Sequence, residues 1–324
     1  MKAIVQDRYG SADVLKMAEI DRPAIGAEEV LVRVLAAGVG PDVWHLMTGL
    51  PHLVRIAGLG FRKPKNRVRG LDVAGRVEAV GANVTQFQPG DEVFGTCGGA
   101  FAEYACAQAK NLAIKPANVT FEQGAAIAIS GTTALQSLRD SGKIKAGQKV
   151  LIIGAAGGVG TFAVQIAKSF GAEVTGVCST TKMDLVRSIG ADHVIDYTRE
   201  DFVDGIHHYD VILDAAGNRS LSHLRRALAS DGCLVIVGGE GGGQWMGGFD
   251  RQLFRAPLMS LFIRQKLRSI SAKVCTADLQ LLQELIGEGK VTPVIDRTFP
   301  LAEAAEAVRY LAQGHSKGKV VITV

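Results

Sequence analysis

At 324 residues the chain exceeds one ordinary domain, so two domains are expected. Its 47% hydrophobic and 21% charged residues are globular values, and a formal charge of +4 is too small to argue for nucleic acid or a membrane as partner. Five cysteines (Cys97, Cys106, Cys178, Cys233, Cys275) lie far apart with no C-x-x-C, which argues against a disulfide framework and a cysteine zinc knuckle.

The chain begins Met1-Lys-Ala-Ile-Val-Gln-Asp7, charged and strand-like rather than a signal peptide, and no apolar run reaches transmembrane length. A soluble cytoplasmic protein is expected. Residues 1–115 are dominated by short, partly alternating runs at 3–5, 30–35, 73–80, 92–94 and 101–106. Turns at 23–26, 80–83 and 88–91 separate them, and the spacing suggests a small barrel or sandwich. Between Ala36 and Gly70 the texture changes. Loop signals at 36–42 lead into a short helical segment ending near Gly49, and a basic stretch follows, with five cations in the eight residues 62–69. Such a run either holds a phosphate-bearing substrate or is a solvated loop, the commoner role of charge runs.

From Phe121 the pattern becomes αβ. Residues 121–138 are apolar and helical in character, interrupted at 130–133. Strands are expected at 150–153, 174–177, 193–195, 211–213 and 234–237, with helices at 161–170, 183–189 and 221–228. This alternation means right-handed βαβ crossovers and a parallel sheet. A glycine-rich run, 238–243, is either a flexible linker or a backbone surface on a ligand; its place at the carboxyl end of a strand, where ligands sit in such sheets, favours the second. An apolar-basic helical region to about Arg268, a strand at 269–274 and a helix at 279–286 come next. The tail reads strand (292–299), helix (301–313), strand (319–324) and does not extend the βαβ series, so part of it is expected to return to the first domain.

The chemistry-bearing stretch is Lys149-Val-Leu-Ile-Ile-Gly-Ala-Ala-Gly-Gly-Val-Gly160. Four apolar β-formers in a row mark a strand covered on both faces. Four glycines in the seven residues 154–160 then open a helix. A helix N-terminus offers unpaired N–H groups and a positive dipole end, and glycines let the main chain approach a pyrophosphate. The dinucleotide fingerprint G-x-G-x-x-G appears as 155–160, with Ala155 in the first glycine position. An NAD-preferring site places an acid about 20 residues further on, yet no acid lies between Val174 and Met183. Ser179, Thr180, Thr181 and Lys182 stand there instead. A carboxylate would repel the 2′-phosphate of NADP, whereas hydroxyls and a lysine would hold it. The same hydroxyls suit the cap of the following helix, and the two roles are compatible.

With these pieces assembled, the chain resembles the medium-chain dehydrogenase/reductase superfamily, and most of all its zinc-independent quinone oxidoreductase branch. The motifs are Gly70-Leu-Asp-Val-Ala-Gly-Arg-Val-Glu-Ala-Val-Gly81, Pro89-Gly-Asp-Glu-Val-Phe94, Gly99-Ala-Phe-Ala-Glu-Tyr104, Ser130-Gly-Thr-Thr-Ala-Leu135, the run 155–160, Gly190-Ala-Asp-His-Val-Ile-Asp-Tyr197, Asp214-Ala-Ala-Gly-Asn218 and Gly318-Lys-Val-Val-Ile322. Each alone is loose; eight in order are specific. The resemblance implies an α/β fold in which a Rossmann domain with a doubly wound parallel sheet (118–264) is inserted in a GroES-like β-barrel domain (1–117 and 265–324). It places the active site in the cleft between them and implies NADP(H) as cofactor and a homodimer. By motif position Ala156, Gly157, Gly158, Val159 and Gly160 would meet the pyrophosphate. Ser179, Lys182 and Tyr197 would meet the 2′-phosphate. Thr132, with the backbone of Gly238 and Gly239, would lie near the nicotinamide.

Zinc-dependent relatives carry a Cys after the Ala-Gly-Val stretch and a Gly-His-Glu further on; here Gly40 and Gly70-Leu-Asp72 stand there. Catalytic zinc takes about three N, S or O ligands, and the nearby candidates are Asp42, His45, His52 and Asp72. No metal is expected. The zinc-free branch usually reads Asn-Pro-x-Asp where this chain reads Gly40-Pro41-Asp42, so the amide is lost and the acid stands one place earlier. The implied reaction is hydride transfer to a small-molecule acceptor, a quinone or an enone β-carbon. Gly40, Asp42, Trp44 and Leu50 are assigned to the substrate pocket. His45 is the first candidate for the proton donor, a surface histidine being the competing reading. Metal-free alcohol/aldehyde interconversion and a non-catalytic NADPH sensor or scaffold remain alternatives.

Overall fold

In the computed structural model of the chain, which describes residues 1–324 apart from 57–59, 239–244, 246, 249–253, 261 and the side chain of Val54, two contact units form. One comprises Met1–Thr132, Val274–Gly289 and Pro293–Val324; the other comprises Thr133–Lys273 and Lys290–Thr292.

The first unit is built from β1 (Lys2–Val5), β2 (Lys16–Glu19), β3 (Glu29–Val39), β4 (Asp72–Val80), β5 (Glu92–Thr96), β6 (Tyr104–Gln108) and β7 (Leu112–Ile114). β3 shows why its sequence makes a half-buried strand. Val30, Val32 and Val34 are buried and alternate with Leu31 and Arg33, and from Ala36 to Val39 every residue is covered. It pairs antiparallel with β4 and β6, β4 pairs with β5, and β5 with β7. Phe94 and Phe101, both fully buried, belong to this unit's interior.

The second unit holds β8 (Lys149–Ile153), β9 (Glu173–Cys178), β10 (His193–Asp196), β11 (Tyr209–Asp214), β12 (Leu228–Ile236) and β13 (Lys266–Ser269). They form one sheet in the order β10-β9-β8-β11-β12-β13, and every pairing is parallel. β8 lies between β9 and β11, so the strand order reverses at its carboxyl end, the place where ligands bind in doubly wound sheets. Val150, Leu151 and Ile152 are fully buried, as four consecutive β-formers require.

The last two strands, β14 (Ile295–Pro300) and β15 (Lys319–Thr323), return to the first unit: β15 pairs antiparallel with β3 and parallel with β14. The tail therefore closes on the N-terminal sheet, as its failure to extend the βαβ series suggested. Among the described residues no helix is long and apolar enough to cross a membrane.

Three sequence readings are corrected. The helix at 121–138 breaks at 125–127, between Phe121–Gly124 and Ala128–Gln136, and runs unbroken through Ser130-Gly-Thr-Thr133. Weak helix formers are tolerated there because the segment is buried, and bare Gly131 lets Leu282 come within 3.0 Å of where a Cβ would be. The strand expected at 269–274 is β13, three residues earlier, and Leu267 is its one buried apolar residue, too little to show as a pattern. β2 and β7 were not foreseen; β2 has no buried residue.

Candidate nucleotide and acceptor site

The turn after β8 shows how a phosphate cradle is made from backbone. Gly154 takes φ +83°, a left-handed conformation that favours glycine. The N–H groups of Gly154 and Ala155 both donate to the Val177 carbonyl on β9, at 3.1 Å, which pins the turn to the sheet. The helix Gly158–Ser169 follows with Gly157 as its N-cap and no side-chain cap, so the first N–H groups, those of Gly158, Val159 and Gly160, lack intrahelical partners. A Cβ on Gly160 would lie 2.1 Å from the Gly154 carbonyl oxygen, so Gly160 is a packing glycine that lets the helix close onto the turn. Ala155 in the first glycine position is explained across the sheet. A Cβ on Gly176 of β9 would lie 3.0 Å from the Ala155 methyl, so the side chain gained at 155 is accommodated by the one missing at 176. Uncapped N–H groups, a dipole end and bare glycines fit a pyrophosphate.

At the end of β9, Ser179 and Lys182 flank a short turn in which the Lys182 N–H donates to the Ser179 carbonyl at 2.9 Å. The Tyr197 N–H donates to the Cys178 carbonyl at 3.1 Å, which brings Tyr197 beside them, half exposed. Sequence reading found no acid in this segment; the sheet supplies one. Asp196 pairs in register with Cys178, is buried, and accepts hydrogen bonds from the Thr180 and Thr198 hydroxyls and the Thr198 N–H. The Thr180 hydroxyl, foremost among these donors, holds its carboxyl below the usual range against the opposing effect of burial. It is turned into its own loop. At the end of β11, Asp214 accepts from the Gly217 N–H at 2.9 Å, and its carbonyl accepts from the Val237 and Gly238 N–H groups. This fixes Gly238 beside β11. Gly239 and the glycines up to 243 lie outside the described residues.

In the first unit, Gly40 ends the run that begins in β3 and caps the helix Pro41–Thr48. Pro41, with its fixed φ, starts the helix, and Gly49 at φ +62° ends it. Trp44 and His45 lie on this helix with their rings edge to face, 5.1 Å apart. His45 Nδ1 lies 2.6 Å from the Leu50 carbonyl oxygen. Because that oxygen can only accept, Nδ1 carries the hydrogen. The Asp42 carboxylate folds back over Gly40: a Cβ on Gly40 would lie 2.2 Å from Asp42 Oδ1 and 3.6 Å from Lys319 Nζ.

Beneath it is an ion pair that no local pattern indicated. Lys319 of β15 donates to Asp72 Oδ2 of β4 at 2.9 Å, both side chains are buried, and Asp72 Oδ1 accepts from the Ile129 N–H at 2.8 Å. Burial would lower the Lys319 pKa, but Asp72 and Asp42 outweigh it and hold the ammonium charged. Burial pushes Asp42 up to about 6; Lys319 opposes this and the like charge of Asp72 adds to it. Thr132 is fully buried, and its Oγ1 has no hydrogen-bond partner among the described residues.

In the basic stretch 62–69, Arg62, Lys63, Lys65 and Arg67 are exposed and Arg69 is buried. Arg67 pairs with Asp7 at 2.6 Å on the surface, whereas Arg69 is buried and donates to the Leu46 carbonyl at 3.2 Å. A hollow of about 440 Å³ in the second unit is lined by Arg225, Arg226, Arg264 and neighbours and by none of the nucleotide-turn residues. Among the described residues no cluster of His, Cys, Asp and Glu could hold a metal ion.

The alcohol dehydrogenase GroES-like domain family matches residues 26–117, and the zinc-binding dehydrogenase family matches residues 189–322. The chain is 34% identical over 337 residues to the NADPH-dependent alkenal/one oxidoreductase, chloroplastic, of Arabidopsis thaliana, covering 99% of this chain and 79% of that one. It is 32% identical over 328 residues to the quinone oxidoreductase of Sus scrofa, covering 98% and 95%. The solved quinone oxidoreductase from Coxiella burnetii superposes with a TM-score of 0.86 at 29% identity, covering 100% and 99%.

The chain belongs to the medium-chain dehydrogenase/reductase superfamily: a Rossmann-like parallel sheet and a GroES-like domain in one polypeptide. Within that superfamily it falls in the quinone oxidoreductase-like branch, as an oxidoreductase that works with a nicotinamide cofactor.

Proposed function

We propose that the chain reduces an activated C=C bond of an enone or enal, or a quinone, with NADPH and without metal. The observation that carries this is the turn 154–160, whose uncapped N–H groups face no side chain of its own and open a helix at the switch point of a parallel sheet. When bound, the dihydronicotinamide would supply the hydride, so the protein's part is to bind, orient and exclude water. Ala156, Gly157, Gly158, Val159 and Gly160 would hold the pyrophosphate. Ser179, Lys182 and Tyr197 would take the 2′-phosphate, with Lys182 as the cation that distinguishes NADPH from NADH. Asp196 does not oppose this, because its oxygens are already bonded to Thr180 and Thr198. In the second unit the backbone at Gly238 would serve the nicotinamide; in the first, the unpartnered Thr132 hydroxyl is the candidate polar group, and Gly40, Asp42, Trp44 and Leu50 are the candidate acceptor residues.

Relatives of two kinds, quinone and alkenal/one oxidoreductases, support the acceptor class. The test is a screen of quinones and alkenones followed by NADPH absorbance, beside NADH and with and without chelator. Turnover that prefers NADPH and survives chelation is expected. Loss of turnover in chelator, restored by zinc, would overturn the metal-free reading.

A further inference from the structure

We propose that the second unit carries a further anion site, a hollow at the amino end of its sheet that takes a small soluble polyphosphate or phosphate ester between Arg225, Arg226 and Arg264. This site goes beyond the hydride-transfer reading and does not depend on it.

The fold brings the three guanidinium groups together. Arg225 and Arg226 end the helix Leu221–Arg226 just before β12, and Arg264 stands two residues before β13. β12 and β13 are parallel neighbours, so both approaches lie at the amino end of the sheet. The turn 154–160 leaves the carboxyl end of β8, which runs parallel to them through β11. The hollow is therefore at the opposite end of the strands from the nucleotide turn. Its volume of about 440 Å³ falls within the range of small-molecule sites, roughly 300–1,000 Å³.

None of the three arginines meets a carboxylate among the described residues. Arginines elsewhere on the surface do: Arg67 pairs with Asp7, Arg76 with Glu92 and Arg187 with Asp184. Converging cations repel one another, and an anion between them relieves that repulsion.

Two of the three are nonetheless held in place. Half-buried Arg225 donates from Nε to Gln265 Oε1 at 2.8 Å. The Gln265 amide donates in turn to the carbonyls of Arg225, Leu228 and Ala229, which ties the approach to β13 to the approach to β12. Arg226 donates from Nη2 to His223 Nδ1 at 3.0 Å, so the ring hydrogen is on Nε2 and goes to Asp201 Oδ1, also at 3.0 Å. Buried Phe202 meets the same ring edge to face. Asp201 is thus engaged with the other ring nitrogen rather than with an arginine. Arg264 and the hydroxyl-bearing Ser222 and Ser230 complete the lining. The planar fork of arginine matches two oxygens of one phosphate, and such charge-assisted bonds are about twice as strong as neutral ones. Two linked phosphates reach more of these forks than one.

The test is isothermal titration calorimetry of sodium pyrophosphate into the full chain at low salt, beside orthophosphate and sulfate. Pyrophosphate should bind more tightly than either. Arg264→Ala and Arg226→Ala should each weaken it roughly 10- to 100-fold, as loss of a charge-assisted hydrogen bond does. Both side chains are exposed, so both variants should fold. Arg8→Ala, which removes an exposed cation of the first unit, should bind as wild type does. Saturating NADPH should not displace the pyrophosphate. Equal affinity in wild type and both hollow variants, or full displacement by NADPH, would assign the anion to the nucleotide turn and overturn the inference. Affinity no greater than for sulfate would mean an adventitious ion only and overturn it as well. Binding to phosphatidylcholine vesicles that contain phosphatidic acid, lost in Arg264→Ala and without any binding of pyrophosphate, would make this a lipid-headgroup site and overturn the soluble ligand. NADPH binding is read separately by fluorescence. A chain that binds pyrophosphate through Arg264 and fails to bind NADPH supports this site and overturns the proposed function alone.

Discussion

The two glycines that begin the nucleotide helix do different jobs, and two substitutions separate them. Gly157→Ser places a favoured hydroxyl at the N-cap, where its Oγ accepts from the N–H of Val159 or Gly160. A Cβ at 157 would lie 3.4 Å from the Gly154 oxygen, an ordinary contact, so stability should hold or rise slightly. The same N–H groups are those offered to the pyrophosphate. Losing one hydrogen bond to a charged oxygen costs about 1.5–3 kcal/mol, so NADPH should bind roughly 10- to 100-fold more weakly. Gly160→Ala acts through packing. Its methyl would stand 2.1 Å from the Gly154 oxygen and 2.8 Å from Ala155 backbone atoms, neither of which can rotate away. Overpacking of this kind costs about 1–3 kcal/mol, and the helix propensity gained over glycine offsets about 1. Urea unfolding followed by circular dichroism and NADPH fluorescence titration read the two effects. Gly157→Ser should lose affinity at unchanged stability, whereas Gly160→Ala should lose both. Wild-type NADPH affinity in Gly157→Ser would refute the cradle.

Three further outcomes follow from the same structure. Lys319→Met leaves Asp72 buried without its cation and should cost about 3–5 kcal/mol in urea unfolding; a loss below about 1 would show that the pair is dispensable. Asp42 is a raised acid, so between its ordinary 3.8 and about 6 the folded state keeps a proton that the unfolded chain has lost. Its contribution to stability is therefore present at pH 4 and lost as pH rises through 6. Asp42→Asn should gain on wild type over that window by at most about 3 kcal/mol, less where solvent reaches the group; a constant difference from pH 4 to 7 would contradict the assignment. Lys182→Ala should weaken NADPH about 10-fold and leave NADH unchanged, and equal losses for both would remove Lys182 from the 2′-phosphate.

What the sequence disclosed was what local pattern encodes. The strand at 150–153, its glycine turn and the helix after it lie within about twenty consecutive residues, and the turn chemistry is backbone chemistry. What it hid was set by residues brought together from afar. Asp72 and Lys319 are 247 positions apart and meet only because the tail strand β15 pairs with β3, which pairs with β4. Asp196 reaches Thr180 through strand register, so an acid absent from one segment is supplied by its neighbour. In sequence His45 is a candidate proton donor, and the Leu50 carbonyl that holds its Nδ1 is visible only once the loop is folded. The helix through Ser130–Thr133 and the short edge strand β13 show tertiary burial overriding weak local propensity.

The most direct test of the central reading is steady-state NADPH oxidation by the purified chain with 1,4-naphthoquinone and with 3-penten-2-one, in the presence of chelator and beside NADH. Turnover is expected with at least one of these acceptor classes, with a higher kcat/KM for NADPH than for NADH and no effect of chelation. Tight NADPH binding with no turnover of any quinone or alkenone would contradict it.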